Sequence, residues 1–316
     1  MRIFITGGAG FIGCKLIPLL LDNGHEVFVY DNFMFNNGDK LLPFITNPKF
    51  SFVKGDVRDR QTLKEHIKGY DVVIHLAALV GYNICRNYGL SESTSINVDG
   101  TKSVLECIDK DQFIIYASTG SNYGEVKGIC TEETPLNPLS IYGQTKTYAE
   151  QLITKESENF TAFRFATAFG VSNKLRLDLL INDLAYKAWS EKYVVVYEPH
   201  FLRTFIHIQD MARAFLFAIN NQDKMRGQIY NIGSNKMNFS KREVCELIKS
   251  KIQAEFNYSG TLEDADKRNY VVSYDKVNAL GYDTTITIEQ GIDELLKTFP
   301  LVKIVNPYYN LWLNFL

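Results

Sequence analysis

The sequence predicts an α/β fold: a doubly wound parallel sheet followed by a smaller C-terminal α/β substrate domain. Three observations predict it. Strand-like and helix-like segments alternate from the first residues. The strand segments are short unbroken runs of Val, Ile and Phe, the pattern of strands covered on both faces. A glycine-rich turn, in "RIFITGGAGFIG", joins the first strand to the first helix.

Taken in order, "RIFIT" is a buried strand and "FIGCKLIPLLLDNG" a helix ending at Gly24. "EVFVYD" and "SFVKGDV" are the next strands, "TLKEHIKG" a short helix and "DVVIHLAA" a strand. "NVDGTKSVLECIDK" is a helix, "FIIYAS" a strand, and "SIYGQTKTYAEQ" lies on a further helix. Alternation at this spacing is that of βαβ units. After about residue 165 the rhythm loosens. Helices "LDLLINDLAYKAWSE", "DMARAFLFAINN" and "SKREVCELIKSKI" are separated by short strands such as "YVVVYE" and "QIYNIG". The expected division is 1–165 for the first domain, with a returning segment near 204–232, and 166–316 mainly for the second. The apolar tail "VNPYYNLWLNFL" is expected to pack on the body or on a partner subunit.

Composition bounds the function. Of 316 residues, 46% are hydrophobic and 22% charged, which leaves no case for disorder. The net charge is −2 and no dense Lys/Arg run occurs, so no nucleic-acid partner is expected. No apolar run approaches a membrane span, and "MRIFITGGAG" is too short and too Gly-rich for a signal peptide. The five cysteines are scattered without a CxxC, which fits a reducing cytoplasm. The histidines show no metal spacing, so no metal is expected.

The glycine-rich turn reads as a dinucleotide site of Rossmann type. Gly8, Gly10 and Gly13 form G-x-G-x-x-G, and Gly7, Gly10 and Gly13 place a glycine at every third position. Glycines here permit the tight turn, admit a pyrophosphate close to the backbone and let helix pack on strand. The helix N-terminus, through Phe11, Ile12 and Gly13, offers N–H groups to phosphate. Asp31 stands 18 residues after Gly13 at the end of the second strand, where a carboxylate meets adenosine ribose hydroxyls. Asn32 and Phe33 follow, with no Arg or Lys beside them. A 2′-phosphate would be repelled, so NAD is expected rather than NADP. Asp56, with Val57, is expected against adenine, the alternative being a cap on the next helix. Leu76, Ala77 and Ala78 are residues at a strand end where a cofactor runs close, and His75 reads as a core histidine.

Tyr142 and Lys146 are four apart on one helix face. A free phenol, with a pKa of about 10, is a poor base at neutral pH. A neighbouring ammonium and a positive nicotinamide ring favour the phenolate. Tyr142 can then take a proton from a substrate hydroxyl as the carbon beneath gives up hydride, with a Ser or Thr orienting that oxygen.

Together "TGGAGFIG", "VYDN", "GDVRD", "HLAA", "NVDGT", "YASTGSNYGE", "YGQTKTYAE", "FRFATAFG", "RTFIHIQDMARAF" and "YNIGS" resemble, in this order, the extended short-chain dehydrogenase/reductase superfamily. Within it, the sequence resembles the NAD-dependent epimerase/dehydratase family of nucleotide-sugar enzymes. The resemblance implies a tightly held NAD, a nucleotide diphosphosugar substrate and a homodimer. It assigns Thr119, Tyr142 and Lys146 to catalysis and places Ser118 near the nicotinamide. Gly120, Ser121, Arg176, Arg203 and Arg268 are implied at the substrate, with Thr167 where many members carry Asn. Asp178, beside Arg176, either touches substrate with it or forms a charge pair at a helix start.

Family members that dehydrate the sugar carry an acidic residue just past the catalytic Thr. Here those positions are Gly120 and Ser121. Elimination needs an acid for the departing hydroxyl and a base for the C5 proton. The expectation is therefore oxidation at C4 without 4,6-dehydration, as a 4-dehydrogenase or, alternatively, within a 4-epimerase cycle. "STGSNYGE" and "KLRLDLLINDLAYKAW" resemble enzymes of bacterial surface polysaccharide and capsule pathways, which implies GDP-manno-heptose as a substrate. A non-catalytic NAD-sensing protein on this fold is the reading from another class.

Overall fold

The computed structural model describes residues 1–259 and 269–302. The strands are β1 (Arg2–Thr6), β2 (Glu26–Asp31), β3 (Phe50–Lys54), β4 (Val72–His75), β5 (Phe113–Thr119), β6 (Glu125–Cys130) and β7 (Phe160–Phe165). They continue with β8 (Thr167–Phe169), β9 (Tyr193–Tyr197), β10 (Leu202–His207), β11 (Gln228–Ile232), β12 (Asn238–Ser240), β13 (Glu255–Ser259) and β14 (Asn269–Val272). The helices are α1 (Gly13–Asp22), α2 (Arg60–Ile67), α3 (Tyr82–Thr94), α4 (Gly100–Cys107), α5 (Ile141–Glu156) and α6 (Leu180–Ser190). They end with α7 (Ile208–Asn220), α8 (Gln222–Met225), α9 (Lys241–Lys249), α10 (Asp275–Asn278) and α11 (Ile288–Thr298).

Seven parallel strands form the main sheet in the order β11-β7-β5-β4-β1-β2-β3. Strand alternation divides its two cores. Ile3, Ile5, Val27 and Val29 face α1 and α7, while Phe4, Tyr30 and Ile114 face α2, α4 and α5. Each such side chain, fully buried, contributes roughly 1.5–3 kcal/mol. The chain order reverses between β1 and β4, and a crevice at the carboxyl ends of strands forms at such a reversal. A separate core packs α6, α9 and α11 on β9 and β10. β11, after β8 to β10, returns to the edge of the main sheet beside β7. All five cysteines are free and buried.

Local chemistry sets the helix ends. Ser140 caps α5 by accepting from the Gly143 N–H at 3.1 Å, and Gly24, at φ +82°, turns the chain out of α1. Capping boxes open α9 at Ser240/Glu243 and α11 at Thr287/Gln290. Four helices stand where the sequence reading put none: α3, α11 and the short α8 and α10. α3 is broken internally at Gly89, φ +79°, and α11 lies in a stretch left unassigned. A π-helical turn, Ser95–Asp99, carries the chain into α4, so the helix expected from Asn97 becomes regular only at Gly100. α1 starts at Gly13 rather than Phe11, because Phe11 and Ile12 still belong to the turn.

Candidate active site

One cleft opens at the sheet reversal. Its walls include Gly7, Gly10, Phe11, Ile12, Gly13, Asp31, Asn32, Asp56, Val57, Leu76, Ala77 and Ala78 at one end. Ser118, Thr119, Ser121, Tyr142, Lys146, Thr167 and Arg176 line the other.

The three turn glycines are demanded for different reasons. A Cβ on Gly7, which sits at φ +70°, would come 2.7 Å from the Ala77 nitrogen. On Gly13 it would collide with the Gly8 carbonyl. On Gly10 it would meet only the Gly7 carbonyl oxygen within 4 Å, at 3.1 Å, and would occupy the cleft itself. Gly8 packs on Val29 and does not line the cleft.

Asp31 is buried and accepts from the Ala9 N–H at 3.0 Å and the Phe33 N–H at 2.8 Å. Burial pushes its carboxyl above the usual range, against the pull of those two N–H groups. Asp56 takes a fork from Arg58, at 2.9 and 2.8 Å, and the Asn32 amide at 3.0 Å. That fork holds its carboxyl down at about 2. Asp56 does not cap α2; Asp59 does, accepting from Thr62 N–H at 3.2 Å. His75 lies between the Thr6 and Thr101 hydroxyls, at 2.7 and 2.9 Å, and burial lowers it to about 3.

At the other end β5 and α5 converge. The Thr119 hydroxyl donates to Ser121 Oγ at 3.1 Å and accepts from the Ser121 N–H at 3.1 Å. Lys146 is buried with its Nζ 4.1 Å from the centre of the Tyr116 ring. Burial lowers its ammonium to about 7, opposed by Glu150 and then Cys85. Among the described residues Lys146 has no hydrogen-bonding or ion-pair partner. The Thr167 hydroxyl oxygen is buried without a hydrogen bond. Arg176 forks onto Asp178, 2.6 Å at both contacts, and donates to the Val80 carbonyl at 3.2 Å. Burial works against the Arg176 cation, and Asp178 outweighs it.

Other residues named from the sequence have contacts of their own or lie off the wall. Ser118 lines the cleft but gives its hydroxyl to Glu150 at 2.5 Å. Gly120 lies off the wall, where a Cβ would meet Tyr270 and the Phe165 carbonyl. Arg203 is buried on β10, off the cleft wall, with a bond to the Leu202 carbonyl at 3.1 Å. Arg268 lies outside the described residues. Sequence reasoning missed Asn37 and Lys174 on the wall. It also missed Glu150 beneath it, although Glu150 continues the four-residue spacing of Tyr142 and Lys146. No group of three or more His, Cys, Asp or Glu among the described residues forms a metal site.

A dinucleotide-type crevice ending in a Thr, a Tyr and a buried Lys defines an oxidoreductase-type site for alcohol and ketone chemistry. The chain belongs to the NAD dependent epimerase/dehydratase family, whose model matches residues 3–233. It is 29% identical to the putative UDP-glucose 4-epimerase of Methanocaldococcus jannaschii, over 93% of this chain and 97% of that one. It superposes on the UDP-glucuronic acid 4-epimerase of Bacillus cereus, solved with UDP-glucuronic acid and NAD, at a TM-score of 0.83 and 25% identity. That match covers 95% of this chain and 99% of the other. The dTDP-glucose 4,6-dehydratase DesIV of Streptomyces venezuelae, at TM-score 0.84 and 24% identity over 95% and 97% of the two chains, shares the fold. NAD, the cofactor of the family, fits these residues. The Gly10 backbone leaves open the room that a Cβ would fill, and the Lys146 ammonium faces the cleft without a protein acceptor.

Proposed function

We propose that this protein inverts C4 of a nucleotide diphosphosugar, as an NAD-dependent 4-epimerase. The observation that carries the reading is the sugar end of the cleft, where Thr119, Ser121, Tyr142 and Thr167 present hydroxyls and no carboxylate lines the wall beside them. The nearby acids are engaged elsewhere. Glu150 takes Ser118 and Arg164, Glu132 accepts from the Asn231 N–H at 2.7 Å, and Glu125 is exposed at the start of β6. This equips the site for oxidation and reduction at carbon and not for loss of water. The 4-epimerase names of two of the relatives above favour return of the hydride over release of a ketone. None of the three carries GDP-manno-heptose in its name.

NAD, when bound, accepts hydride from the sugar carbon and returns it. Tyr142 removes the proton from the 4-hydroxyl and gives it back after the sugar has presented its other face. Thr119 holds O4 by hydrogen bond. Lys146, a buried cation on the same helix face as Tyr142, stabilises the phenolate electrostatically. In this reading the residues after 166, with Lys174 and Arg176 on the cleft wall, hold the nucleotide diphosphate.

The test incubates the purified protein and NAD with UDP-glucose, UDP-glucuronic acid and a panel of dTDP-, CDP- and GDP-sugars, followed by chromatography and mass spectrometry. An isomer of unchanged mass supports 4-epimerisation. A product lighter by two hydrogens makes it a 4-dehydrogenase, and one lighter by a water overturns the acid-free argument.

A further inference from the structure

The segment between β8 and α6 does more than connect two elements. Ser172, buried, donates its hydroxyl to the Phe11 carbonyl at 2.8 Å, in the glycine-rich turn. Two residues on, the Lys174 ammonium reaches the Phe35 carbonyl at 3.5 Å, in the loop after β2, with the Phe35 ring 6.0 Å away. Two residues further, Arg176 bonds the Val80 carbonyl at 3.2 Å, in the loop after β4. Asp178 fixes that guanidinium by two contacts of 2.6 Å. Alternate residues of one stretch are thus tied to three different loops, and all three of those loops line the cleft. Lys174, Arg176 and Leu179 of the stretch themselves line the same cleft.

We propose that residues 171–178 are a strap across the NAD cleft, and that Ser172 and Lys174 retain the dinucleotide through turnover. The inference rests on NAD being the cofactor. A bound dinucleotide lying between Gly10 and Asp31 has the strap over it, and it leaves only when the Ser172 and Lys174 bonds open. Lys174 adds a second role. Its cation favours the Asp31 carboxylate, acting with the Phe33 and Ala9 N–H groups against the burial that raises that carboxyl. An epimerase returns the hydride it takes, and a cofactor that stays in place for both halves of the cycle suits that chemistry.

The experiment measures NAD dissociation from the purified holoprotein, by dilution into charcoal and assay of the nucleotide left on the protein. Wild type is compared with Ser172→Ala, Lys174→Met and the double variant; Met preserves the lysine stem and loses only the charge. Each bond lost is worth about 0.5–1.5 kcal/mol, so each single variant is expected to release NAD roughly threefold to tenfold faster and the double variant tens of times faster. Ser172→Thr and Lys174→Arg, which keep the donor, are expected to release at the wild-type rate, and they separate a lost bond from a damaged fold. Equal dissociation rates in wild type and double variant, with melting temperatures unchanged, overturn the strap. A wild-type protein that binds no NAD overturns the cofactor reading, and the strap falls with it.

Discussion

The two ends of the cleft are finished differently. At the end built on the glycine-rich turn the charged groups have their partners inside the protein. Asp31 holds two backbone N–H groups, and Asp56 holds a guanidinium and an amide. At the sugar end Thr167 Oγ1 is buried without a partner, and the Lys146 ammonium has only an aromatic face beneath it. The Asn37 carbonyl oxygen is the exception at the first end, buried and unpaired. Buried polar atoms without partners cost about 1–3 kcal/mol each. Asp31 and Asp56 are therefore satisfied before a ligand arrives, whereas Lys146 and Thr167 have hydrogen-bonding capacity left for one.

The largest expected effect breaks the second end. Tyr142→Phe keeps the ring and removes the proton acceptor. Turnover should fall by roughly a hundredfold to ten-thousandfold while the NAD content of the purified protein, read by absorbance, stays at the wild-type level. Near-normal turnover would remove Tyr142 from the base role.

Next comes the support beneath that end. Glu150 and Arg164 are both buried and joined at 2.6 Å. Glu150→Ala strands the guanidinium, which should cost about 3–5 kcal/mol in urea unfolding. A loss below about 1 kcal/mol would mean that water reaches the site and rescues Arg164.

The first end is sharpened by Asp31→Asn. Removing the carboxylate should relax the preference for NAD over NADP by about tenfold or more, since apposed like charges cost several kcal/mol. Calorimetric titration of both cofactors measures it, and an unchanged ratio would assign the discrimination to other residues.

The last effect is one of pH. Lys146 titrates at about 7 when folded and at 10.5 by its ordinary value. Between these pH values the unfolded chain binds the extra proton, so stability gains with rising pH across the window. Lys146→Met lacks the group. Its melting temperature in the cofactor-free form should exceed that of wild type most below pH 7, and the gap should close as pH rises toward 10.5. A constant gap would show that the lysine is not desolvated in the apoprotein.

How much of this the sequence showed follows from how local each signal is. Strands β1 to β5 of the main sheet were legible because their apolar runs need no tertiary context, whereas β7, whose FTAFRF carries Thr and Arg, was not. The Gly7–Gly13 turn and Asp31 were legible because a tight turn and a strand end fix their spacing. α3 was not, since Gly89 interrupts any period and its apolar residues are sparse. α11 carries a capping box and a regular apolar face, and that signal was passed over. The strap has no period at all: Ser172, Lys174 and Arg176 alternate like a strand yet sit in a loop. Their partners lie 161, 139 and 96 residues away in the chain, a distance over which local patterning is silent.

The burial of the five thiols gives this protein an internal clock. Thiolates, not thiols, react with alkylating reagents, and burial pushes Cys14 and Cys245 up to about 12 and Cys85 and Cys130 up to about 11. In the closed molecule labelling should be nearly silent, so each thiol reports the opening of its own surroundings. Cys14 lies in the first turn of α1, with its sulfur against the backbone of Lys174. Its alkylation therefore counts the moments at which the cofactor's cover is lifted, without any mutation or added probe.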